Sequence, residues 1–420
     1  MENNIIQQEL FEIQEENEQV AKKENDVVSY QNIVLKSNVI KDEYTDFIAK
    51  AFDLKVSDTS TVLVPNKLNL ERLKPWNIGV ICGSSGSGKS TILRHLAQKS
   101  GGVISSPSFD EQRCLISNFD KISPKEAAML LSSIGLASVP TWIRPYNVLS
   151  NGEKYRANLA KAIYDAKDGE IIFMDEYTSV VDRNVAKAMS NALQKYIRKT
   201  NKRIILASCH YDIFDWLLPD WIYDLNKGGA LLAGDCLRRE RPKIELQVFR
   251  TTCDTWERFK KYHYMTSDLN ESSACFCFVW EDKLVAFVGV LPFPSGTMKN
   301  AFRGHRTVVL PDFQGLGIGS KVTSFIAAIY KSIGGVYYTK TVNPALGKYR
   351  EASPLWQATP RNLKIMEQKD IDSNMMGGLA RPSYCHKYIG QPIYGYEELL
   401  LPMEKIRYNN SMKWQLTFNF

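Results

Sequence analysis

The residues Gly83-Ser84-Ser85-Gly86-Ser87-Gly88-Lys89-Ser90 follow the spacing G-x-x-x-x-G-K-[ST]. Glycines at this spacing let successive backbone N–H groups turn inward around phosphate oxygens. Lys89 can reach the β- and γ-phosphates of a nucleotide, and the Ser90 hydroxyl can ligate Mg²⁺. Asn77 to Cys82 reads as a short buried strand, and Thr91 to Ala97 as the opening of a helix. That strand–loop–helix context is what the motif needs, and the helix N-terminus adds partial positive charge. A glycine-rich turn alone is a weak alternative against the full motif in this setting.

Other residues can serve the same phosphates. Glu170 to Glu176 is an apolar strand ending in two acids. Asp175 suits holding Mg²⁺, directly or through water, and Glu176 suits polarising an attacking water. Solvated acids at a strand end are a common alternative for this pair alone. Ile204 to His210 is a second apolar strand; its histidine, taken singly, reads more often as an ordinary strand-end residue. Ser150 opens a helix as an N-cap, followed by Asn151, Gly152 and Glu153.

A second glycine-rich stretch comes later: Gln314-Gly315-Leu316-Gly317-Ile318-Gly319-Ser320. It sits between a strand from His305 to Leu310 and a helix through Ile329. Its third glycine is one residue early for the dinucleotide pattern G-x-G-x-x-G, and a glycine-rich helix start by itself is weak evidence.

The elements that must position these loops fall into two groups. Val27 to Lys36 and Thr61 to Val64 read as strands, and Asp42 to Phe52 as a helix with Tyr44, Phe47, Ile48 and Ala51 at helical spacing. Trp221 to Leu225 and Ala230 to Leu232 form a hairpin around Asn226-Lys227-Gly228-Gly229. Trp76 reads as core packing. The basic cluster Arg238-Arg239-Glu240-Arg241-Pro242 breaks the pattern, as a solvated linker would. Beyond it, Ile244 to Thr251, Ala274 to Trp280, Leu284 to Leu291 and Val336 to Thr341 read as strands. Trp256, Phe259, Tyr262 and His263 recur at helical spacing. The domains expected are residues 1–26, an acidic and disordered or marginally helical arm; 27–239, the nucleotide-binding domain; and 240–420, a second domain with a C-terminal tail. The tail, with Trp414, Phe418 and Phe420, reads either as a returning strand or as a partner surface.

Composition fits this division. The 420 residues are 44% hydrophobic and 24% charged, enough for two or three cored domains. No apolar run approaches the roughly 18 residues of a membrane span. Met1-Glu2-Asn3-Asn4 lacks the basic and apolar regions of a signal peptide, so a cytoplasmic protein is expected. The eight cysteines make no C-x-x-C pair and are expected to be reduced thiols, with Cys82 and Cys209 in core strands. A net charge of +7 allows an anionic partner without demanding one.

Taken together, the first set of motifs resembles the ABC ATPase family. Leu149-Ser150-Asn151-Gly152-Glu153 is similar to the LSGGE signature, with Asn151 in place of a glycine. Ser179-Val180-Val181-Asp182 is similar to the D-loop, and His210 to the switch histidine that hydrogen-bonds a γ-phosphate. Gln112 is the candidate Q-loop glutamine, although it falls early, and the short segment between P-loop and signature implies a trimmed helical subdomain. The resemblance implies ATP at Gly83 to Thr91, Mg²⁺ at Ser90, Gln112 and Asp175, and catalysis by Glu176 and His210. It also implies a head-to-tail homodimer, because one signature and one P-loop occur per chain. Ser150 and Gly152 of one copy would contact the ATP of the other.

The second stretch resembles motif A of the GNAT acyltransferases, [QR]-x-x-G-x-[GA], at Gln314, Gly317 and Gly319. The fold class implied is α/β: a P-loop ABC-type nucleotide-binding domain followed by a GNAT-fold α+β domain. Acetyl-CoA or another acyl-CoA would then bind at Val309, Leu310, Gln314, Gly315, Leu316, Gly317, Ile318, Gly319 and Ser320. Its pyrophosphate would sit at the helix N-terminus and its pantetheine arm along the open strand edge. Asn343 to Tyr349 roughly fits motif B, making Tyr349 the acid candidate; His263, His305 and Asp312 are base candidates. Packing roles for Tyr349 and His263 are at least as good a reading. Trp256-x-x-Phe259-x-x-Tyr262-His263-Tyr264 and Ser353-Pro354-Leu355-Trp356 resemble the GNAT branch fused to ABC ATPases, which is similar to phage Mom-type enzymes that modify DNA bases. Two functions stay open: an ATP-gated acyltransferase acting on nucleic acid or an associated target, and an ATP-driven clamp whose GNAT domain only binds acyl-CoA or docks. A transporter ATPase would leave the GNAT domain unexplained.

Overall fold

The computed structural model describes residues 13–14, 32–73, 75–102, 104–237, 240–263, 268–294, 298–364, 382–402 and 414–418. Arg238, Arg239, Tyr264, Phe420 and most of the N-terminal arm lie outside them. Three β-sheets organise the rest. The first is antiparallel, in the order β1 (Ile13–Gln14), β2 (Ile33–Asn38), β3 (Thr59–Val64), with helix α1 (Glu43–Ala51) between its last two strands. Ile13–Gln14 add a short strand to the edge of β2, and the rest of the expected acidic arm lies outside the described residues. Helix α1 starts where Asp42 accepts the N–H groups of Tyr44 and Thr45, and Thr45 Oγ1 accepts that of Asp42. Its apolar spacing is as expected, yet the face is open, with Tyr44 73% and Phe47 69% exposed.

The second sheet comprises β4 (Ile78–Cys82), β5 (Ile171–Met174), β6 (Arg203–Ser208), β7 (Trp221–Asp224) and β8 (Ala230–Ala233), in the order β5-β6-β4-β7-β8. All pairs are parallel except β7 with β8. Around it run α2 (Lys89–Lys99), α3 (Pro124–Ser133), α4 (Val139–Trp142), α5 (Asn151–Asp165), α6 (Arg183–Ile197) and α7 (Phe214–Leu217). The parallel strands are near-continuous apolar runs because both faces are covered. On β4, Ile78 and Val80 pack into the core shared with α3 and α5, and Ile81 into the one shared with Ile92, Leu93 and Leu96 of α2. Strand β6 ends two residues before expected, at Ser208 rather than His210. Ser208 Oγ bonds to Tyr177 O and accepts the His210 N–H, so Cys209 turns out and is exposed.

The third sheet has eight strands in the order β14-β15-β13-β12-β11-β10-β9-β16. They are β9 (Ile244–Thr251), β10 (Ala274–Trp280), β11 (Lys283–Pro292), β12 (Ala301–Val309), β13 (Val336–Thr341), β14 (Trp356–Ala358), β15 (Tyr384–Tyr388) and β16 (Trp414–Phe418), with helices α8 (Ile318–Ser332) and α9 (Pro344–Ala352). Strand β16 pairs along β9, so Trp414 to Phe418 follow the returning-strand reading of the tail. The stretch with Trp256, Phe259 and Tyr262 is not an α-helix but two 3₁₀ turns, Cys253–Arg258 and Lys260–Tyr262. A strict three-residue spacing matches the three residues per turn of that helix. Trp256 and Phe259 are buried there against Phe287.

Strand β12 carries two irregularities beside the second glycine-rich loop. Its register against β11 slips between Gly289 and Val290, which pair with Arg306 and Gly304, so His305 is the extra residue of a β-bulge. On its other side β12 pairs with β13 only from Ala301 to Arg303. Past that point the two parallel strands splay, and the β13-facing backbone edge of β12 from Gly304 onward has no strand partner.

Trp221 gives a direct check on the nucleotide-binding core. It is 1% exposed, meets Trp76 edge-on at 5.6 Å and covers Gly79, where any Cβ would overlap its ring. Trp221→Ala should lower stability by about 3–5 kcal/mol in chemical denaturation. A loss under about 1 kcal/mol would contradict this packing.

Candidate functional site

Seven helices have nine or more residues among those described, and their N-termini divide sharply. Five are capped by a side chain: Asp42 for α1, Ser123 for α3, Ser150 for α5, Asp182 for α6 and Asn343 for α9. The remaining two, α2 and α8, start on Gly88 and Gly317, with φ of 95° and 84° and no side-chain cap. The first-turn N–H groups of these two helices have no intrahelical acceptor and point out of the helix. Each thus presents donors and a positive dipole end to an anion. They are the two helices that follow the glycine-rich loops.

The first loop sits at the carboxyl ends of parallel strands, where the crevice of such sheets lies. Cys82 pairs with Ser208 and Met174 with Leu206, so Gly83, Asp175 and His210 all leave the sheet at one edge. Lys89 Nζ folds over the loop onto the carbonyls of Gly83 (3.0 Å) and Ser84 (2.7 Å). Asp175 Oδ1 accepts the Glu176 N–H at 2.8 Å, and its Oδ2 takes no hydrogen bond among the described residues. With the Ser90 hydroxyl, that oxygen gives the hard donor set Mg²⁺ takes alongside phosphates and water. His210 Nδ1 lies 3.1 Å from Thr178 Oγ1, and burial, then the charge of Arg183, hold the imidazole below its usual pKa. Ser150 caps α5 through a reciprocal pair with Glu153, whose other oxygen accepts from Thr141 Oγ1 at 2.8 Å.

Several supports of this site had no local sequence signal. Asn226 Oδ1 accepts both the N–H and the hydroxyl of Ser84, at 2.9 and 3.1 Å. Asn226 is in turn held by the buried Asp224 and by Tyr211, which itself donates to Asp224. Tyr155 of α5 bridges the Glu176 carbonyl and the Thr178 N–H at 3.4 Å each. Arg183 pairs with Asp212 beside His210. The alternating apolar pattern marks such residues as strand ends or helix faces, and only the tertiary fold brings them to the loop.

The second loop lines a cavity of about 460 Å³ together with the splayed ends of β12 and β13. Val309, Gln314, Gly315, Gly317, Ile318, Gly319 and Ser320 border it; Leu310 and Leu316 do not. Leu316 is fully buried in the core, and the Leu310 N–H is spent on Val285 O. Tyr349, His263 and His305 line the cavity as well. Asp312 does not; it is exposed and sets its charge against the buried Arg156 of α5, so the geometry counts against it as a base. His263 is buried against the Trp256 ring. Gln112 lies exposed on a turn, with its N–H on Asp110 and its side chain in no hydrogen bond among the described residues, so nothing joins it to Ser90 or Asp175.

The acetyltransferase (GNAT) family pattern matches residues 239–350. No curated protein matches the chain. Among solved structures, a bacterial ABC transporter cassette in dimeric form is similar at 15% identity over 39% of this chain and 87% of that one, with a TM-score of 0.31. The same cassette in a post-hydrolysis dimer bound to ADP and Pi is similar at 16% identity over 41% and 89%, with a TM-score of 0.32. CbiO1 from Clostridium perfringens, part of an ABC transporter complex, is similar at 17% identity over 41% and 80%, with a TM-score of 0.30. A mainly parallel sheet bearing a P-loop sequence thus precedes a region, residues 239–350, that matches the GNAT family pattern. No helix among the described residues is long and apolar enough to cross a membrane.

His305 offers a measurement of the second site that needs no substrate. Burial, with the charges of Arg306 and Arg303, lowers its pKa to about 4. The imidazole is therefore neutral at pH 7, with Nε2 accepting the Asn270 N–H at 3.4 Å and Nδ1 3.4 Å from Arg306 Nη1. An NMR titration should keep the His305 ring neutral down to about pH 4; an ordinary midpoint near 6.5 would contradict the burial and charges described.

Proposed function

We propose that this chain binds and hydrolyses ATP at Gly83 to Thr91 and transfers an acyl group from acyl-CoA to an amine in the cavity of its GNAT domain. The observation that carries this reading is the pair of glycine-started helices, one in each domain, whose first turns have no side-chain cap. Mg²⁺ would be held by Ser90 and Asp175, with Gln112 reaching it only if its turn moves, and would neutralise phosphate charge. Glu176 orients the attacking water, and neutral His210 donates to the γ-phosphate.

In the second site, the α8 N-terminus holds the pyrophosphate and the unpaired edge of β12 takes the pantetheine arm. The acceptor nitrogen attacks the thioester carbonyl carbon and loses its proton to His305, which stands on the bulge at the splay and lines the cavity. Backbone N–H groups on the β12 edge steady the oxyanion. The carbon–sulfur bond then breaks, and the CoA sulfur takes the Tyr349 proton, leaving acylated amine and free CoA.

One P-loop and one signature per chain favour an ATP-joined homodimer, in which Ser150 and Gly152 complete the partner's ATP site. Closure would bring two GNAT domains together. The basic balance of the chain and the likeness to base-modifying enzymes favour nucleic acid, or a target bound to it, as the acceptor.

Two variants test the reading together. Gly317→Glu should abolish acetyl-CoA binding in calorimetry, by placing a carboxylate against the pyrophosphate, while ATP binding persists. Glu176→Gln should bind ATP but hydrolyse it about a hundredfold more slowly or worse, trap a dimer in light scattering, and hold labelled DNA or RNA more tightly with ATP than with ADP, with affinity falling as salt rises. Equal acetyl-CoA affinity in Gly317→Glu rejects the second site. Nucleic-acid binding that ignores the nucleotide moves the acceptor to a protein or small amine.

A further inference from the structure

The acyl-CoA cavity is not built by the GNAT domain alone. Its wall includes Ala192, Lys195, Tyr196 and Lys199 from α6 and the turn that closes it, an element of the ATPase domain. The glycine-rich loop lies directly on that helix. A Cβ on Gly315 would come within 2.9 Å of Ala192 Cβ and 3.0 Å of the Ala188 carbonyl. Asn191 Nδ2 donates to the Gly315 carbonyl at 2.9 Å, and the Ala137 N–H donates to Gln314 Oε1 at 2.9 Å. Gln314 Nε2 returns to the Val309 carbonyl, so the loop is tied to both domains at once.

This contact brings groups of both domains to one cavity. His305, Thr307 and Val309 of β12, Gly315 and Gly317 of the loop and Ala192 of α6 all line it, with Gly315 against Ala192. Ala188, Ala192, Lys195 and Lys199 are spaced by four, three and four residues, which places them on one stripe of α6 and its closing turn. Lys195 stands about 4.5 Å, and Lys199 about 10 Å, beyond Ala192 along the helix axis. The cations therefore extend the cavity wall along α6 from the point where Ala192 meets Gly315. Their charges crowd one another. Burial, then Arg241, Lys199 and Lys321, pull the Lys195 ammonium down to about 8. Cations gathered at one end of a cavity repel each other, and an anion placed among them relieves that repulsion.

We propose that Lys195 and Lys199 of the ATPase domain bind the 3′-phosphate of the acyl-CoA, making its site a composite of both domains. This rests on the acyl-CoA reading of the cavity. The two kinds of phosphate meet two kinds of donor. The pyrophosphate is served by backbone amides at α8, and the 3′-phosphate, which those amides cannot also reach, is served by ammonium groups.

Calorimetry on the full chain with CoA and with dephospho-CoA, which lacks only the 3′-phosphate, tests it. The wild-type protein should favour CoA by about tenfold or more, the worth of one charge-assisted phosphate contact. Lys195→Gln with Lys199→Gln should erase that preference by weakening CoA while leaving dephospho-CoA unchanged. The variant must still bind ATP; if it does not, Lys199→Gln alone, at an exposed position, carries the test through partial loss of the same preference. Unchanged discrimination in the variants overturns the proposal, as does equal weakening of both ligands, which would mean that the lysines support the fold. A wild-type protein that binds neither ligand overturns the acyl-CoA reading itself, a result distinct from both.

Discussion

The backbone contact between Gly315 and α6 is the constraint on which the relation of the two domains depends. Gly135 joins it from the ATPase side, where a Cβ would come 3.1 Å from the Gln314 carbonyl. Side chains at either glycine would push the domains apart, and φ of 88° and 96° already restricts both positions to glycine-like backbone. With the two main chains this close, the loop cannot shift without moving α6 or the turn after α3. Arg156 of α5 adds a buried charge opposite Asp312 at the same junction. The helices that open at Ser150 and Asp182 thus both border the second glycine-rich loop, through Arg156 and through Ala188, Asn191 and Ala192.

On the proposed function, this arrangement would give ATP binding a physical handle on acyl transfer. Closure of a proposed dimer would load the N-termini of α5 and α6, where the signature and D-loop residues stand. Packed helices move as rigid bodies, with small shifts absorbed at their contacts. A shift of α6 carries Ala192 against Gly315 and carries Lys195 and Lys199 relative to the α8 N-terminus. Whatever favours one position of α6 then favours one state of both sites, and the effect runs in both directions.

Local chemistry was legible in the sequence, because the residues that make a phosphate loop are contiguous. Gly83 to Ser90 and Gln314 to Ser320 could each be read from a few residues and a strand–helix setting. Strands β9 and β13 have the bounds expected from their alternation. Trp256, Phe259 and Tyr262 misled because a spacing of three fits both kinds of helix, and short range alone does not choose between them. The supports of the sites were not legible. Asn226 reaches Ser84 across 142 positions of sequence, and Gln314 reaches Ala137 across 177. The bulge at His305 depends on the register of β11, and Lys195 reads as an ordinary helix-surface cation until the second domain is laid on it.

Helix α6 is then the mechanical element that the proposed ATP and acyl-CoA sites would share. The most direct measurement of that sharing is the affinity of acetyl-CoA for the Glu176→Gln protein, by calorimetry, with ATP and without nucleotide. Coupling through α6 predicts a change of about fivefold or more, matched by an equal change in ATP affinity when acetyl-CoA is present. Acetyl-CoA affinity that is the same in both conditions would contradict it.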